Sequence, residues 1–332
     1  MKKIKFIIII HLILFNSSFL YANENFEEWK IKFKTYAHKQ GVSLNTLNNL
    51  IDNSKFLPNV IKYDRYQPEF YEDTQTYISK RTTNKKIKIG NKIYNNNIDK
   101  INLISKKYNV DKNLLLSLMG IETNFGNYLG KMDIVSSLAT LSFDKRRSDF
   151  FTQELITLLK LVDKKIVDSD NLYGSWAGAF GNFQFMPSTI KNFAIDFDND
   201  GKINLKRTND SFASAANYLN KLGWNNLTPC FYKVKLKENI PNKYLNISAK
   251  KIHSTKKVYY LKKYIKNSNL LDNYNNLNAA IITPDAEIVE NPDKLSPAFI
   301  VFDNYKLILK WNRSLRFALA VCTLKDKFKN VL

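Results

Sequence analysis

The sequence predicts an α+β fold that is mainly α. Two patterns predict it. Apolar residues recur at three- and four-residue steps through much of residues 24–224 and again near the end. From Cys230 onward, short runs alternate apolar with polar residues. At 332 residues the chain can bury one large core or divide it among two or three domains. With 44% hydrophobic residues it is not a disordered composition.

Residues 1–22 are expected to stand outside the fold. Lys2, Lys3 and Lys5 form a positive start, Phe6 to Phe15 is an apolar run broken only by His11, and Ala22 supplies a small residue for cleavage. This is the pattern of a secretory signal peptide, so an exported, periplasmic protein is expected. The apolar run is too short to cross a hydrocarbon core of about 30 Å as a helix. Retained rather than cleaved, it would leave the protein membrane-associated. No Cys stands near Ala22, so no lipid attachment site is predicted.

Residues 23–98 read as a helical module. Phe26, Trp29, Phe33 and Ala37 share a helix face and Gly41 supplies a stop. A short helix follows Ser43, and Pro58 and Pro68 punctuate the linker after it. Residues 99–224 form a mostly helical core that carries the motifs below. Residues 225–302 read as a small β-rich module, with strands at Phe231 to Leu236, Val258 to Leu261, Ala279 to Thr283 and Phe299 to Phe302. The Asn-rich stretches 93–98 and 273–277 read as loops. Residues 303–332 are expected to hold a strand and then a helix after Ser314, with Phe317, Val321, Leu324 and Phe328 on one face. There is no internal repeat.

The formal charge is +21, and removing residues 1–22 with their three lysines leaves +18. The basic residues are scattered, with short runs such as Lys85-Lys86-Ile87-Lys88, in a chain rich in Lys, Asn and Ile. No nucleic-acid motif accompanies the charge, and export argues against that role. An anionic wall polymer is compatible with it. Cys230 and Cys322 can pair in an oxidising compartment or stay as buried thiols; the reading adopted is no bond.

The sharpest element is Asp111 to Glu122. Asp111 is a plausible N-cap, and Leu114, Leu118 and Glu122 follow at four-residue spacing on one helix face. A carboxylate thus ends an apolar stripe, close to Gly126 and the helix C-terminus. Burial and the negative end of the helix dipole both raise its pKa, as an acid that protonates a glycosidic oxygen requires. The bland alternative is a Glu at a frayed helix end. Further on, residues 174–188 read Gly-Ser-Trp-Ala-Gly-Ala-Phe-Gly-Asn-Phe-Gln-Phe-Met-Pro-Ser. Glycines permit close approach of a ligand, aromatic faces suit sugar rings, and Gln184 can donate and accept. Taken alone, this segment reads more readily as a tightly packed Gly-rich helix pair, with Pro187 opening the next helix.

A metal loop is also legible. Asp196-Phe-Asp198-Asn-Asp200-Gly201-Lys202 follows the first part of an EF-hand, with side-chain oxygens at positions one, three and five, Gly at six and the Lys202 carbonyl at seven. Position twelve is Arg207, which excludes a standard hand, while Asp210 can close a longer loop. A structural Ca²⁺ is expected, against the alternative of a polar surface turn. No organic cofactor is expected.

Several segments together resemble one family. They are Glu122-Thr-Asn-Phe-Gly126, Leu138 to Phe143 with Arg146-Arg147 and Phe150-Phe151, Gly174 to Ala179, Gln184-Phe-Met-Pro187, Ala216-Asn-Tyr-Leu219 and Gly223-Trp224. Gln67-Pro-Glu-Phe70 and Leu309-Lys-Trp-Asn-Arg-Ser314 extend the likeness. The chain resembles the membrane-bound lytic murein transglycosylase B family, glycoside hydrolase family 103 of the lysozyme-like superfamily. The resemblance implies a lysozyme-like core with a helical N-terminal module and a small β-rich module. It implies cleavage of the MurNAc–GlcNAc β-1,4 bond of peptidoglycan, with 1,6-anhydroMurNAc ends and an extended Ca²⁺ loop. It makes Glu122 the acid and then the base, has Ser175 hydrogen-bond that acid, and places Gln184, Phe185, Met186, Tyr218 and Tyr77 along the substrate. Near the C-terminus the family commonly has Tyr-Asn and a second Tyr, where this chain has Trp311-Asn312 and Phe317. The expected partner is the glycan strand, with other cell-wall enzymes as recruiters, and the chain is expected to act as a monomer. Two alternatives are kept: a lysozyme-like hydrolase, with Asp133 or Asp144 as second carboxylate, and a non-catalytic wall-binding scaffold.

Overall fold

A computed structural model describes residues 26–67, 71–286 and 293–331. The expected signal segment, residues 1–22, and Pro68 to Phe70 of the early motif lie outside the described residues. Among the described residues no helix is long and apolar enough to cross a membrane. The chain divides into two compact units, each assembled from separate stretches of sequence.

The first unit comprises the described part of the chain up to Arg65, then Leu129–Phe180 and Gln184–Asn192. Its first helix runs over residues 26–39 and stops before Gly41, which sits at φ +92°. Phe26, Trp29 and Phe33 stack in sequence at 5.4 and 5.0 Å, and the Phe143 ring meets Phe26 edge-on at 5.5 Å. The predicted apolar face is therefore the core face. Ser43 caps the next short helix, and its hydroxyl and that of Thr46 both donate to Asp163. Pro58 opens the helix Pro58–Arg65, where its missing N–H costs nothing. Asp64 of that helix is buried between Arg146 and Arg147. A two-stranded ladder joins β1 (Met132–Asp133) to β2 (Tyr173–Gly174). Asp133 then caps the helix Ile134–Phe143, which packs on Ser148–Asp163.

The second unit comprises Tyr66–Tyr128, Gly181–Phe183 and Phe193–Leu332. Helices Thr74–Arg81, Asn84–Asn96, Ile98–Tyr108, Lys112–Thr123, Thr208–Leu222, Asp303–Trp311 and Leu315–Lys329 build it. Lys112–Thr123 is buried on nearly every side and packs on Leu315–Lys329, whose Phe317, Val321, Leu324 and Phe328 are all in the core. The β-rich part is a sheet of β3 (Phe231–Val234), β4 (Leu245–Asn246), β5 (Lys256–Lys257), β6 (Asn278–Ile282) and β7 (Ala298–Phe302). The order is β3-β7-β6-β4, with β5 also on β6. β3, β5 and β7 pair antiparallel with their neighbours, and β4 runs parallel to β6.

The mainly helical α+β class holds, with four corrections. Val258–Leu261 is one helical turn, not a strand. Val258 and Leu261 are buried three residues apart while Tyr259 and Tyr260 face out, which is helical and not alternating spacing. Residues 93–96 finish the helix Asn84–Asn96 and only Asn97 interrupts before the next helix; buried Tyr94 anchors the turn that its asparagine neighbours would have loosened. Among the described residues after 303 there is no strand, because Asp303–Trp311 is a helix whose Tyr305, Ile308 and Leu309 bury together. Finally, Cys230 and Cys322 form a disulfide, with Cα atoms 6.1 Å apart. Packing of the last helix brings both buried side chains within bonding reach.

Candidate active site

Glu122 sits in the last turn of Lys112–Thr123. Asp111 accepts from the Asn113 N–H at 2.9 Å, so the cap read from the sequence is formed. Beyond Thr123, Asn124, Phe125 and Gly126 adopt successive left-handed backbones at φ 48°, 61° and 82°. Two of these are not glycine, a costly arrangement of the kind that accompanies functional sites. The Asn124 and Phe125 amides both return to the Met119 carbonyl, closing the helix end. Glu122 is half-buried. The Trp311 indole N–H donates to its Oε1 at 3.0 Å.

The rest of the second unit supports this corner. The Phe183 ring packs on Trp311 at 6.2 Å and on Phe212 at 5.2 Å. Tyr218 lies between Trp311 and Phe193, at 5.1 and 4.4 Å, and its hydroxyl donates to the Lys310 carbonyl at 3.3 Å. Burial pushes the Tyr218 phenol up. Asn312 is half-buried just after Trp311. Tyr77 is buried, with the Arg81 guanidinium 3.5 Å from its ring centre. Phe317, where the family commonly has a second Tyr, is a core residue.

In the first unit, Ser175 starts a tight turn. Its hydroxyl accepts from the Ala179 N–H at 3.0 Å, and its own N–H donates to the Ala179 carbonyl at 2.8 Å. Gln184 is held left-handed at φ 49° and donates to the Leu129 carbonyl at 3.3 Å. Phe185 is buried and paired through its backbone with Phe180, whereas Met186 is half-buried. The helix Pro187–Phe193 follows at once. Its Ser188 amide and hydroxyl both donate to the buried Glu154, at 2.8 and 2.6 Å. Sequence reading missed Glu154, because a carboxylate inside an apolar helix carries no sign of a cap formed 34 residues away. Asp133 and Asp144 are engaged structurally: Asp133 accepts from the Ser136 amide, and Asp144 pairs with Arg65 at 2.8 Å.

The acidic loop is partly assembled. Oxygens of Asp196, Asp198 and Asp210 lie within 4.8 Å of one another. Asp210 is buried and accepts from the Phe197 and Asn204 amides. Burial, and then the charges of Asp198 and Asp196, raise its pKa. Asp198 is held below the usual range, first by the Asn209 side chain. Asp200 is outside this trio; it accepts from the Lys202 amide, with Arg207 at 3.5 Å. Asn182 links the loop to the acid-bearing helix. Its carbonyl accepts from Thr123 at 2.9 Å, while its side chain donates to the Lys206 carbonyl and to Ser211. Gly181 before it, at φ 78°, lies so close to Leu205 that a Cβ would meet it at 2.5 Å.

Comparison with known proteins bears on this arrangement. A sequence family described as a transglycosylase SLT domain matches residues 25–326. Membrane-bound lytic murein transglycosylase B of Escherichia coli K12 is 40% identical over 149 residues. That match spans 45% of this chain and 41% of the relative, less than half of either. SltB3 of Pseudomonas aeruginosa, solved in complex with NAG-NAM-pentapeptide, superposes with a TM-score of 0.79 at 29% identity, covering 92% of this chain and 79% of that one. The lytic transglycosylase SLT35 of Escherichia coli, solved in complex with calcium, gives a TM-score of 0.74 at 27% identity over 93% of this chain and 94% of that one.

Proposed function

Because this chain belongs to the transglycosylase SLT domain family, we propose that it is a lytic transglycosylase that cleaves the MurNAc–GlcNAc β-1,4 bond of peptidoglycan and leaves 1,6-anhydroMurNAc ends. One observation carries the reading: a half-buried carboxyl, Glu122, fixed at a closed helix end with one oxygen held by an indole N–H. Glu122 protonates the leaving GlcNAc oxygen. As a carboxylate it then takes the proton of the MurNAc 6-hydroxyl while that oxygen closes on C1, so no water is added. Attack from within the same sugar needs no second carboxylate and gains from proximity. The engagement of Asp133 and Asp144 in a helix cap and an ion pair weighs against a two-carboxylate hydrolase.

We assign glycan binding to Ser175, Gln184 and Met186, with Phe185 supporting them from the core. In the second unit we assign it to Tyr218, Trp311, Asn312 and Tyr77. The loop fits Ca²⁺, a hard cation that takes oxygen ligands. Asp196, Asp198 and Asp210 would hold it, with Asp200 and the Lys202 carbonyl able to complete the shell, and its role is structural. SLT35 was solved with calcium, which supports this reading. Export to the periplasm, with membrane association if the N-terminal segment is retained, fits a wall substrate.

The test is the product mass from isolated sacculi. Anhydro ends are expected. Ends one water heavier would refute the transglycosylase and favour the hydrolase, and no cleavage by the parent would favour a binding scaffold.

A further inference from the structure

Lys86 lies in the first turn of the helix Asn84–Asn96, within the short basic run Lys85-Lys86-Ile87-Lys88. Its side chain is half-buried, and its ammonium donates to the carbonyl of Gly120, two residues before Glu122. That carbonyl belongs to the last turn of Lys112–Thr123, where the backbone oxygens have no further amides along the helix to accept from. The two helices meet closely there: a Cβ on Gly120 would lie 2.7 Å from the Phe125 ring, and a Cβ on Gly90 2.9 Å from it. The negative end of the acid-bearing helix therefore has a cation fastened to it.

We propose that Lys86 is a positioning residue for the reaction: its ammonium holds the final turn of the acid-bearing helix through Gly120 and sets the field in which Glu122 ionises. This rests on the reading of Glu122 as acid and base. Physically, the helix end raises the pKa of a carboxyl placed there, and a cation bound to that end opposes the effect. Glu122 must leave each first step as a carboxylate, and Lys86 makes that form accessible.

Desolvation and the basic groups around the cation work against its charge. Arg81 stands near it from the end of the preceding helix, and Lys327 of the last helix donates to the neighbouring Thr82 carbonyl. Burial first, and then the Arg81 charge, bring Lys86 down to about 8. A lysine lowered in the folded state costs stability while it is charged. The cost is present at neutral pH and is relieved as pH rises from about 8 toward 10.5, because the folded chain then releases a proton that the unfolded chain still holds. A half-buried charge kept at such a cost belongs with function more readily than with folding.

The full mature chain tests this, with Lys86→Met, Lys86→Arg and Glu122→Gln assayed on sacculi across pH. Lys86→Met is expected to lower turnover about tenfold and to move the alkaline limb, set by Glu122 ionisation, up by about half a pH unit. Lys86→Arg is expected to restore both. At pH 7 Lys86→Met is expected to melt no lower than the parent. Unchanged turnover in Lys86→Met, or a loss without movement of the limb, overturns the assignment. So does a loss that tracks a lowered melting temperature. Full activity in Glu122→Gln refutes the acid reading itself; a dead Glu122→Gln beside a parent-like Lys86→Met refutes only the role of Lys86.

Discussion

An indole N–H can donate and cannot accept. Trp311 therefore favours the carboxylate form of Glu122, the form required in the second half of the proposed reaction. Trp311→Phe keeps a ring against Phe183 and Tyr218 but removes the donor. Its turnover on sacculi is expected to fall about tenfold, in line with the loss of a hydrogen bond to a charged group. Glu122→Gln keeps the size and hydrogen-bonding reach of the side chain without the acid, and its rate is expected to drop by about two to four orders of magnitude with the fold intact by circular dichroism. Glu122 was legible because two local rules coincide on it, an apolar four-residue spacing and a nearby helix stop. Lys86, Glu154 and Asn182 were not legible. Each acts on backbone or side-chain atoms of a distant segment, and neither charge nor spacing along the chain marks such a contact.

Elements deliver these residues, and two of them can be tested separately. Glu154 satisfies both the amide and the hydroxyl of Ser188 at the start of Pro187–Phe193, directly after Gln184, Phe185 and Met186. Glu154→Ala leaves those half-buried donors without their acceptor. A loss of about 1–3 kcal/mol in denaturant melts is expected, together with a raised KM. The acidic loop carries like charges around a buried Asp210, so a cation that binds only the folded form stabilises by mass action. A chelator is expected to lower the melting temperature of the parent, and Asp198→Asn to remove the response to added Ca²⁺. An unchanged melt in chelator would count against the metal. The loop was readable from its oxygen spacing, although Asp200 lies outside the trio that the fold assembles. Val258–Leu261 was misread because four residues rich in Val and Tyr suit a strand by propensity, while burial three residues apart, invisible in sequence, makes a helical turn.

On the scale of the whole molecule, the mainly helical class and the family were legible because long ordered motifs run through most of the chain. The division into two units was not, since each gathers stretches from distant parts of the sequence. Nor was the disulfide, because two cysteines 92 residues apart say nothing about whether the last helix packs beside β3. Closing a loop of that length removes much freedom from the unfolded chain. Cys322→Ser is expected to cost about 2–5 kcal/mol, read from urea melts of oxidised protein against the variant.

The packing of Leu315–Lys329 on Lys112–Thr123 has a consequence in time. During synthesis the acid and its helix emerge some two hundred residues before the helix that covers them, and Trp311 arrives only shortly ahead of it. Until then Lys112–Thr123 lacks that cover and Glu122 lacks its indole partner. A product stalled before residue 311 would thus be a sticky intermediate whose Glu122 still lacks its partner.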